Sequence, residues 1–160
     1  MMNITLTPIG IVHNELNIPH QGNWEEAVST IELVAPFTAE SIQGLETFSH
    51  VEILFFFDRV KEDRIQIGSG HPRKNPDWPQ VGIFSQRGYT RPNRLGATIV
   101  RILSVNGCML TVQGLDALNG TPVIDIKPVM REFLPPDEDI RQPGWADELM
   151  KKYWKEKDQA

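Results

Sequence analysis

The stretch "ATIVRILSVNGCMLTVQGL", Ala97 to Leu115, holds two β-rich runs joined at Asn106-Gly107. Asn-Gly between such runs is the strongest short hairpin signal, because both residues tolerate the positive φ of a type I′ turn. Working outward, other segments show the same two-residue period. Upstream, "VSTIELVAP" (Val28 to Pro36) sets Ile31, Leu33 and Ala35 against Thr30, Glu32 and Val34. "ITLTPIGIV" (Ile4 to Val12) reads as a strand in which Pro8 marks an edge or a bulge. "SHVEILFFFDRV" (Ser49 to Val60) begins by alternating and is continuously apolar from Ile53 to Phe57, as in a strand covered on both faces near its end. "VGIFS" (Val81 to Ser85) and "PVIDIKPV" (Pro122 to Val129) supply two more short strands.

Helical signals are few. "TAESIQGL" (Thr38 to Leu45) reads as a short helix or turn with Thr38 as its N-cap. In "GWADELMKKYWKEKD" Trp145, Leu149 and Tyr153 fall on one helical face. Asp147 and Glu148 sit early and Lys151, Lys152 and Lys155 late, as a helix dipole favours. Short strands, few helices and no internal repeat make the chain mainly β, an antiparallel barrel or sandwich with peripheral short helices and a C-terminal helix. One domain over residues 1–160 is expected, with strands over about 4–133 and a helical tail over about 144–157.

The 160 residues are enough to bury a core, and 40% hydrophobic with 23% charged residues is the composition of a soluble globular domain. A net charge of −5 argues against a general nucleic-acid or membrane-surface binder while leaving room for a local basic site. No apolar run reaches the roughly 20 residues of a membrane span. "MMNITLTPIG" lacks the basic start and apolar run of a signal peptide. Cys108, the single cysteine, permits no internal disulfide and fits a reducing compartment, so the cytoplasm is the expected location. The sequons at Asn3 and Asn119 are then chance matches.

The four histidines, His13, His20, His50 and His71, show no metal-ligand spacing, and no metal is expected. Nothing around Cys108 signals an activated thiol. "GSG" at Gly68 to Gly70 fits neither common phosphate-loop pattern, and the prolines after it forbid the helix such a loop opens.

Two loops concentrate the remaining chemistry. "FSQRGYTRPNRLG" (Phe84 to Gly96) places Arg87, Arg91 and Arg94 among Gly88, Pro92, Asn93 and Gly96, a shaped turn carrying three guanidinium groups. Such groups suit bidentate recognition of carboxylate or phosphate, and equally suit a solvated turn paired with nearby acids. "GLDALNGTPVIDIKP" (Gly114 to Pro128) offers Asp116, Asp125 and Lys127 beside turn residues. It reads either as a ligand-facing loop or as an Asn119-Gly120 turn leading into a strand with a paired Asp125. The irregular run Asp58 to Gln80 is too long for a simple connector, and runs of that kind are functional or mobile.

"VGIFSQRGYTRPNRLG" resembles the VGVFATRSPHRPNPIG pattern of the TrmO or TsaA-like family of S-adenosylmethionine-dependent methyltransferases. Further blocks follow in family order: "TPIGIVHN", "STIELVAPFTAESIQGLETFSHVEILFFFDR" and "LTVQGLDALNGTPVIDIKPVMREF". The resemblance runs from about Thr7 to Phe133 and is to the compact members that lack a C-terminal domain. It implies a small β-barrel, a homodimer with S-adenosylmethionine near the subunit interface, and N6-methylation of threonylcarbamoyladenosine beside the tRNA anticodon.

Carried over position by position, the resemblance gives cofactor contacts to Gln21 and its neighbours, Asp58, Arg59, Arg87, Asp116, Ala117 and Leu118. Asp125 and Lys127 would lie near the same pocket. Arg91 matches the family's second arginine and would help shape or charge the pocket. Tyr89, Asp125 and Lys127 are the candidates for proton handling in the transfer. The chain departs from the pattern at Gln86, Gly88, Arg94, Asn119 and Val129, where threonine, serine, proline, aspartate and tyrosine are usual. Three readings therefore stand: a tRNA methyltransferase, a methyltransferase with a small-molecule acceptor, and a non-catalytic module binding S-adenosylmethionine or a nucleotide.

Overall fold

The computed structural model describes residues 3–19 and 24–151. Its strands are β1 (Gly10–His13), β2 (Val28–Leu33), β3 (His50–Phe56), β4 (Ser69–Gly70), β5 (Val81–Gly82), β6 (Leu95–Asn106), β7 (Met109–Gln113) and β8 (Pro122–Pro128). Six of them close into a barrel in the order β1-β2-β7-β6-β3-β8, with every pairing antiparallel. Closure leaves the barrel sheet without a free edge strand, which is how a small all-β domain escapes edge-to-edge association. The mainly β reading and the barrel both hold.

The two-residue period sends one side chain in two to the interior. Ile31 and Leu33 of β2, Val51, Ile53 and Phe55 of β3, Val100 of β6, and Leu110 and Val112 of β7 form the core with Val12 and Val123. Each such side chain, once buried, contributes about 1.5–3 kcal/mol relative to exposure. Phe55 lies across the interior because Gly96, its partner in the β3–β6 register, has no side chain. A Cβ built there would stand 2.5 Å from the Phe55 ring.

The β6–β7 hairpin forms, with its turn one residue later than the sequence suggests. Asn106 pairs with Met109, so Gly107 and Cys108 are the two central residues. Gly107 alone takes a positive φ, +58, the pattern of a type II′ turn rather than type I′. Other boundaries move as well. The first strand begins at Gly10 rather than Ile4, and β2 ends at Leu33. From Val51 to Phe56 the alternation continues to the end of β3, with Leu54 and Phe56 half-buried on the outer face. "VGIFS" divides into β5, which pairs only with β4, and a 3-10 turn at Ile83–Ser85. Thr38 precedes a 3-10 turn, Ala39–Ile42, and its backbone N–H donates to Ser41 Oγ at 3.3 Å.

Helix α1 spans Gly144–Met150, with Trp145 and Leu149 half-buried. Tyr153, Lys152 and Lys155 of the expected tail lie outside the described residues. Glu148 anchors the helix by accepting a hydrogen bond from Trp78 Nε1 at 2.7 Å. The segment between β3 and β6 folds into a unit of its own. Gln66 N–H donates to the Thr90 carbonyl at 2.8 Å and Ile83 N–H to that of Gly68 at 2.9 Å.

Candidate cofactor site

The β7–β8 loop crosses one end of the barrel. Gly114, at φ +97, turns the chain, and Leu115 and Ala117 then plug the interior. Asp116 lies between them and meets Thr98, an inward-facing residue of β6. Thr98 Oγ1 donates to Asp116 Oδ1 at 2.6 Å. The Asp116 backbone N–H also favours the ionised carboxylate, and the residue is half-buried rather than sealed off. Burial raises the Asp116 carboxyl above its usual range. The Thr98 hydrogen bond and the Arg87 charge pull the other way without overcoming it.

Arg87 arrives from the arginine loop. Its Nη2 donates to the carbonyl of Ala97 at 2.7 Å, so Ala97 holds the arginine while the adjacent Thr98 holds the acid. Two loops that are far apart in sequence thus converge on two consecutive residues of β6. The result is an opposite-charge pair of ligand-capable groups, a partly shielded carboxylate and an exposed guanidinium.

Arg59 holds the neighbouring ground. Its Nη1 donates to the Asn17 carbonyl at 2.7 Å and its Nη2 to the Asn119 carbonyl at 2.6 Å. One guanidinium therefore ties the loop after β1 to the β7–β8 loop. Asn14 makes a second tie, from Nδ2 to the Ala117 carbonyl and to Ser29 Oγ, both at 2.9 Å. Its backbone N–H donates to Asn119 Oδ1 at 3.1 Å, and Asn119 N–H returns to the Leu16 carbonyl at 2.8 Å. Leu118 is half-buried within this network, and Asp58 is exposed beside Arg59. Gln21 lies outside the described residues.

Asp125 and Lys127 stand apart from this cluster. Asp125 accepts from the Ile126 backbone N–H at 3.0 Å and pairs with the Lys127 ammonium. That pairing raises the Lys127 pKa. Asp125 also borders a separate hollow of about 390 Å³, with Ile9, Leu33, Phe37, Ser41 and Leu45 among its walls. Asp125 and Ala97 flank Leu54 of β3 on opposite sides, about 10 Å apart at the usual strand spacing. Arg91 donates to the Gln86 carbonyl at 3.1 Å, and the Tyr89 ring meets Phe57 edge-on at 6.3 Å.

Thr98 and Asn14 escaped the sequence reading. Thr98 falls on the inward phase of an otherwise apolar strand, and a polar residue there signals a buried partner. Asn14 follows β1 at a point where a polar side chain can satisfy the ends of several strands. No group of three or more His, Cys, Asp or Glu suited to a metal occurs among the described residues.

Residues 11–133 match the family model described as the tRNA-methyltransferase O N-terminal domain. A "Probable S-adenosyl-L-methionine-binding protein" of Archaeoglobus fulgidus is 35% identical over 132 residues, covering 80% of this chain and 34% of that protein. The human "tRNA (adenine(37)-N6)-methyltransferase" is 38% identical over 103 residues, covering 64% of this chain and 23% of that protein. A solved structure of TrmO from Pseudomonas aeruginosa superposes with a TM-score of 0.69 at 31% identity, covering 88% of this chain and 62% of that one. The chain therefore spans about a third of the Archaeoglobus relative and less than two thirds of the solved TrmO chain. Matching sequence over most of its length and matching in fold, the chain belongs to the TrmO N-terminal domain family.

Proposed function

We propose that this domain binds S-adenosylmethionine beside β6 and directs methyl transfer to N6 of an adenosine in tRNA, threonylcarbamoyladenosine next to the anticodon. The observation that carries the reading is the Arg87–Asp116 pair gathered on Ala97 and Thr98. The fit is chemical. Asp116 is a half-buried carboxylate held at Oδ1 by Thr98, suited to accept from a hydroxyl, an ammonium or another cationic group. Arg87 spends Nη2 on Ala97 and keeps donors for a carboxylate. S-adenosylmethionine offers both kinds of partner, and when bound it supplies an electrophilic methyl group. The relatives named for binding it and for methylating tRNA support the assignment.

The chain's own residues then act mainly by positioning. Arg59, Asn14 and Asn119 hold Asp116 to Leu118 in place. Tyr89, exposed on the arginine loop and braced on Phe57, is the candidate for passing the proton of the attacking nitrogen to solvent. Arg91 shapes the arginine loop through the Gln86 backbone carbonyl. Asp125 and Lys127, engaged with each other, are the weaker candidates for that step. Assembly as a homodimer with the cofactor near the interface, in the cytoplasm, completes the reading.

One specific observation favours a second reading, a small-molecule acceptor. Arg91 and Arg94 each donate to a backbone carbonyl, and the chain carries a net charge of −5. Incubation with labelled S-adenosylmethionine and either tRNA lacking the methyl group or a metabolite extract separates the two. Label in tRNA supports the first reading, and label in small molecules alone supports the second. Absence of cofactor binding by calorimetry rejects both.

A further inference from the structure

The segment from Gln66 to Arg94 differs in charge from the rest of the chain. It carries Arg73, Lys74, Arg87, Arg91 and Arg94 against the single acid Asp77, a balance of +4 in a chain of −5. The remainder is therefore at −9. This is one folded unit rather than a row of independent loops. Gln86 Nε2 donates to the carbonyls of Gly70 and Val81 at 3.3 and 3.2 Å, and the Gln86 backbone carbonyl accepts from Arg91. The β4–β5 pair and the arginine loop are thereby joined at one residue, Gln86, and the turn holding Arg73 and Lys74 follows directly on β4.

Two aromatic rings stand out on this unit. Phe84 is 77% exposed and Tyr89 57% exposed, although burial is the usual fate of a phenylalanine. Arg73 and Lys74 are exposed and hold left-handed backbone conformations at φ 48 and 59. Consecutive residues of this kind are uncommon and cluster at functional sites. Cations interleaved with exposed rings are the composition that holds single-stranded nucleic acid, with phosphates on the cations and unpaired bases on the rings. A paired duplex would offer phosphates and no free base face.

We infer that the unit spanning Gln66 to Arg94 is the docking surface for unpaired RNA nucleotides flanking the methylated adenosine, with a base stacking on Phe84 and phosphates on Arg73 and Lys74. The inference rests on the tRNA reading above and adds the place and mode of contact. Confining the positive charge to one unit also reconciles an acidic chain with a polyanionic partner, because the remaining surface repels RNA and restricts its approach to this face.

The test uses the whole chain and two labelled RNA probes, a hairpin with a short adenine-containing loop and a fully paired duplex. Fluorescence anisotropy reads affinity across salt concentrations, and calorimetry reads S-adenosylmethionine affinity in parallel. Phe84→Ala is expected to weaken hairpin binding about 5- to 100-fold with little effect on the duplex, and Phe84→Trp to restore it. Arg73→Glu with Lys74→Glu should flatten the salt dependence, by about 0.7 in log–log slope for each phosphate no longer neutralised. Arg141→Glu, a charge reversal at an exposed residue elsewhere, should change affinity far less. Cofactor affinity should stay within about twofold for Phe84→Ala.

Hairpin affinity that is unchanged in Phe84→Ala and in the Arg73/Lys74 variant, while the wild type binds RNA, overturns the inference and leaves the methylation reading standing. Loss of hairpin binding in those variants, with no methyl transfer to tRNA by the wild type, supports the surface and removes the methylation reading. If Phe84→Ala instead turns a dimer into monomers in sedimentation while hairpin affinity is unchanged, the face belongs to a second copy of the chain and the inference fails.

Discussion

Thr98 donates from Oγ1 to Asp116 Oδ1 at 2.6 Å, binding the inner face of β6 to the loop that closes the barrel. The carboxyl it holds is raised above the usual range, first by burial. A folded state that binds the proton more tightly than the unfolded chain gains stability from it below the ordinary carboxylate pKa. That stability is lost as pH rises through the raised folded value. Ionised Asp116 is therefore a cost near neutrality, the kind a ligand-binding group imposes on a fold.

Asp116→Asn removes that titration and leaves an amide oxygen for Thr98. The variant should equal or exceed the wild type in Tm near pH 7, and its Tm should gain less on acidification from about pH 7 to about pH 4. S-adenosylmethionine affinity by calorimetry should fall about tenfold or more, as expected when a charged acceptor is removed. Superimposable Tm–pH curves would place the raised carboxyl elsewhere.

Arg94 supplies a second prediction. Its φ is +51, its N–H donates to the Arg91 carbonyl at 3.0 Å, and its Nη1 donates to that of Val60 at 2.8 Å. The guanidinium carbon also lies 4.6 Å from the centre of the Phe56 ring. Proline, the family's usual residue here, has φ near −65° and no N–H, so it cannot take this conformation. Arg94→Pro should cost about 3 kcal/mol, whereas Arg94→Gly, which accepts the left-handed backbone, should cost less than about 1.5 kcal/mol. Urea unfolding of the two variants decides it. Equal stabilities would mean that residues 91–96 re-fold around proline.

How far the sequence carries can be followed residue by residue. Alternation places Ile31, Leu33, Val51 and Ile53 correctly because each strand has an inner face and an outer one. What misleads is the continuous apolar run Ile53 to Phe57, because Phe56 keeps the outward phase and is only half-buried, with the Arg94 guanidinium over its ring. The hairpin turn moves by one residue because Gly107 alone supplies a positive φ, which suits a different turn type from the one the Asn-Gly pair suggests. The meeting of Arg87 with Asp116 depends on β6 passing beneath both loops, and strand order is not written in local periodicity. Thr98 and Asn14 matter only through that order.

Gly96 tests the packing of the barrel. A Cβ at this position would stand 2.5 Å from Cε2 and Cζ of Phe55, whose ring is 1% exposed and has core residues around it. Gly96→Ala should destabilise by about 1–3 kcal/mol, the range for overpacking a filled core. In the Phe55→Leu background the same change should cost clearly less, because the shorter side chain clears the site. A double-mutant cycle by urea denaturation measures the coupling, and additive effects would show that the backbone of β6 shifts instead of the ring.

Arg59 bears the last prediction, because it distinguishes holding a site from touching its ligand. Its two donors go to the Asn17 and Asn119 carbonyls, so both of those nitrogens serve the loops. A lysine carries one ammonium on a flexible stem and lacks the planar fork that reaches two acceptors at once. Arg59→Ala and Arg59→Lys should therefore behave alike. In both, amide hydrogen exchange should speed up in residues 14–19 and 116–121 while the β3 and β6 core keeps its protection. Cofactor affinity should fall together with that loop protection, since the cost is the re-ordering of Asp116 to Leu118 on binding. A group that met the ligand directly would give a different pattern, with weaker binding and unchanged exchange in both loops. That result would move Arg59 from the support of the site into the site.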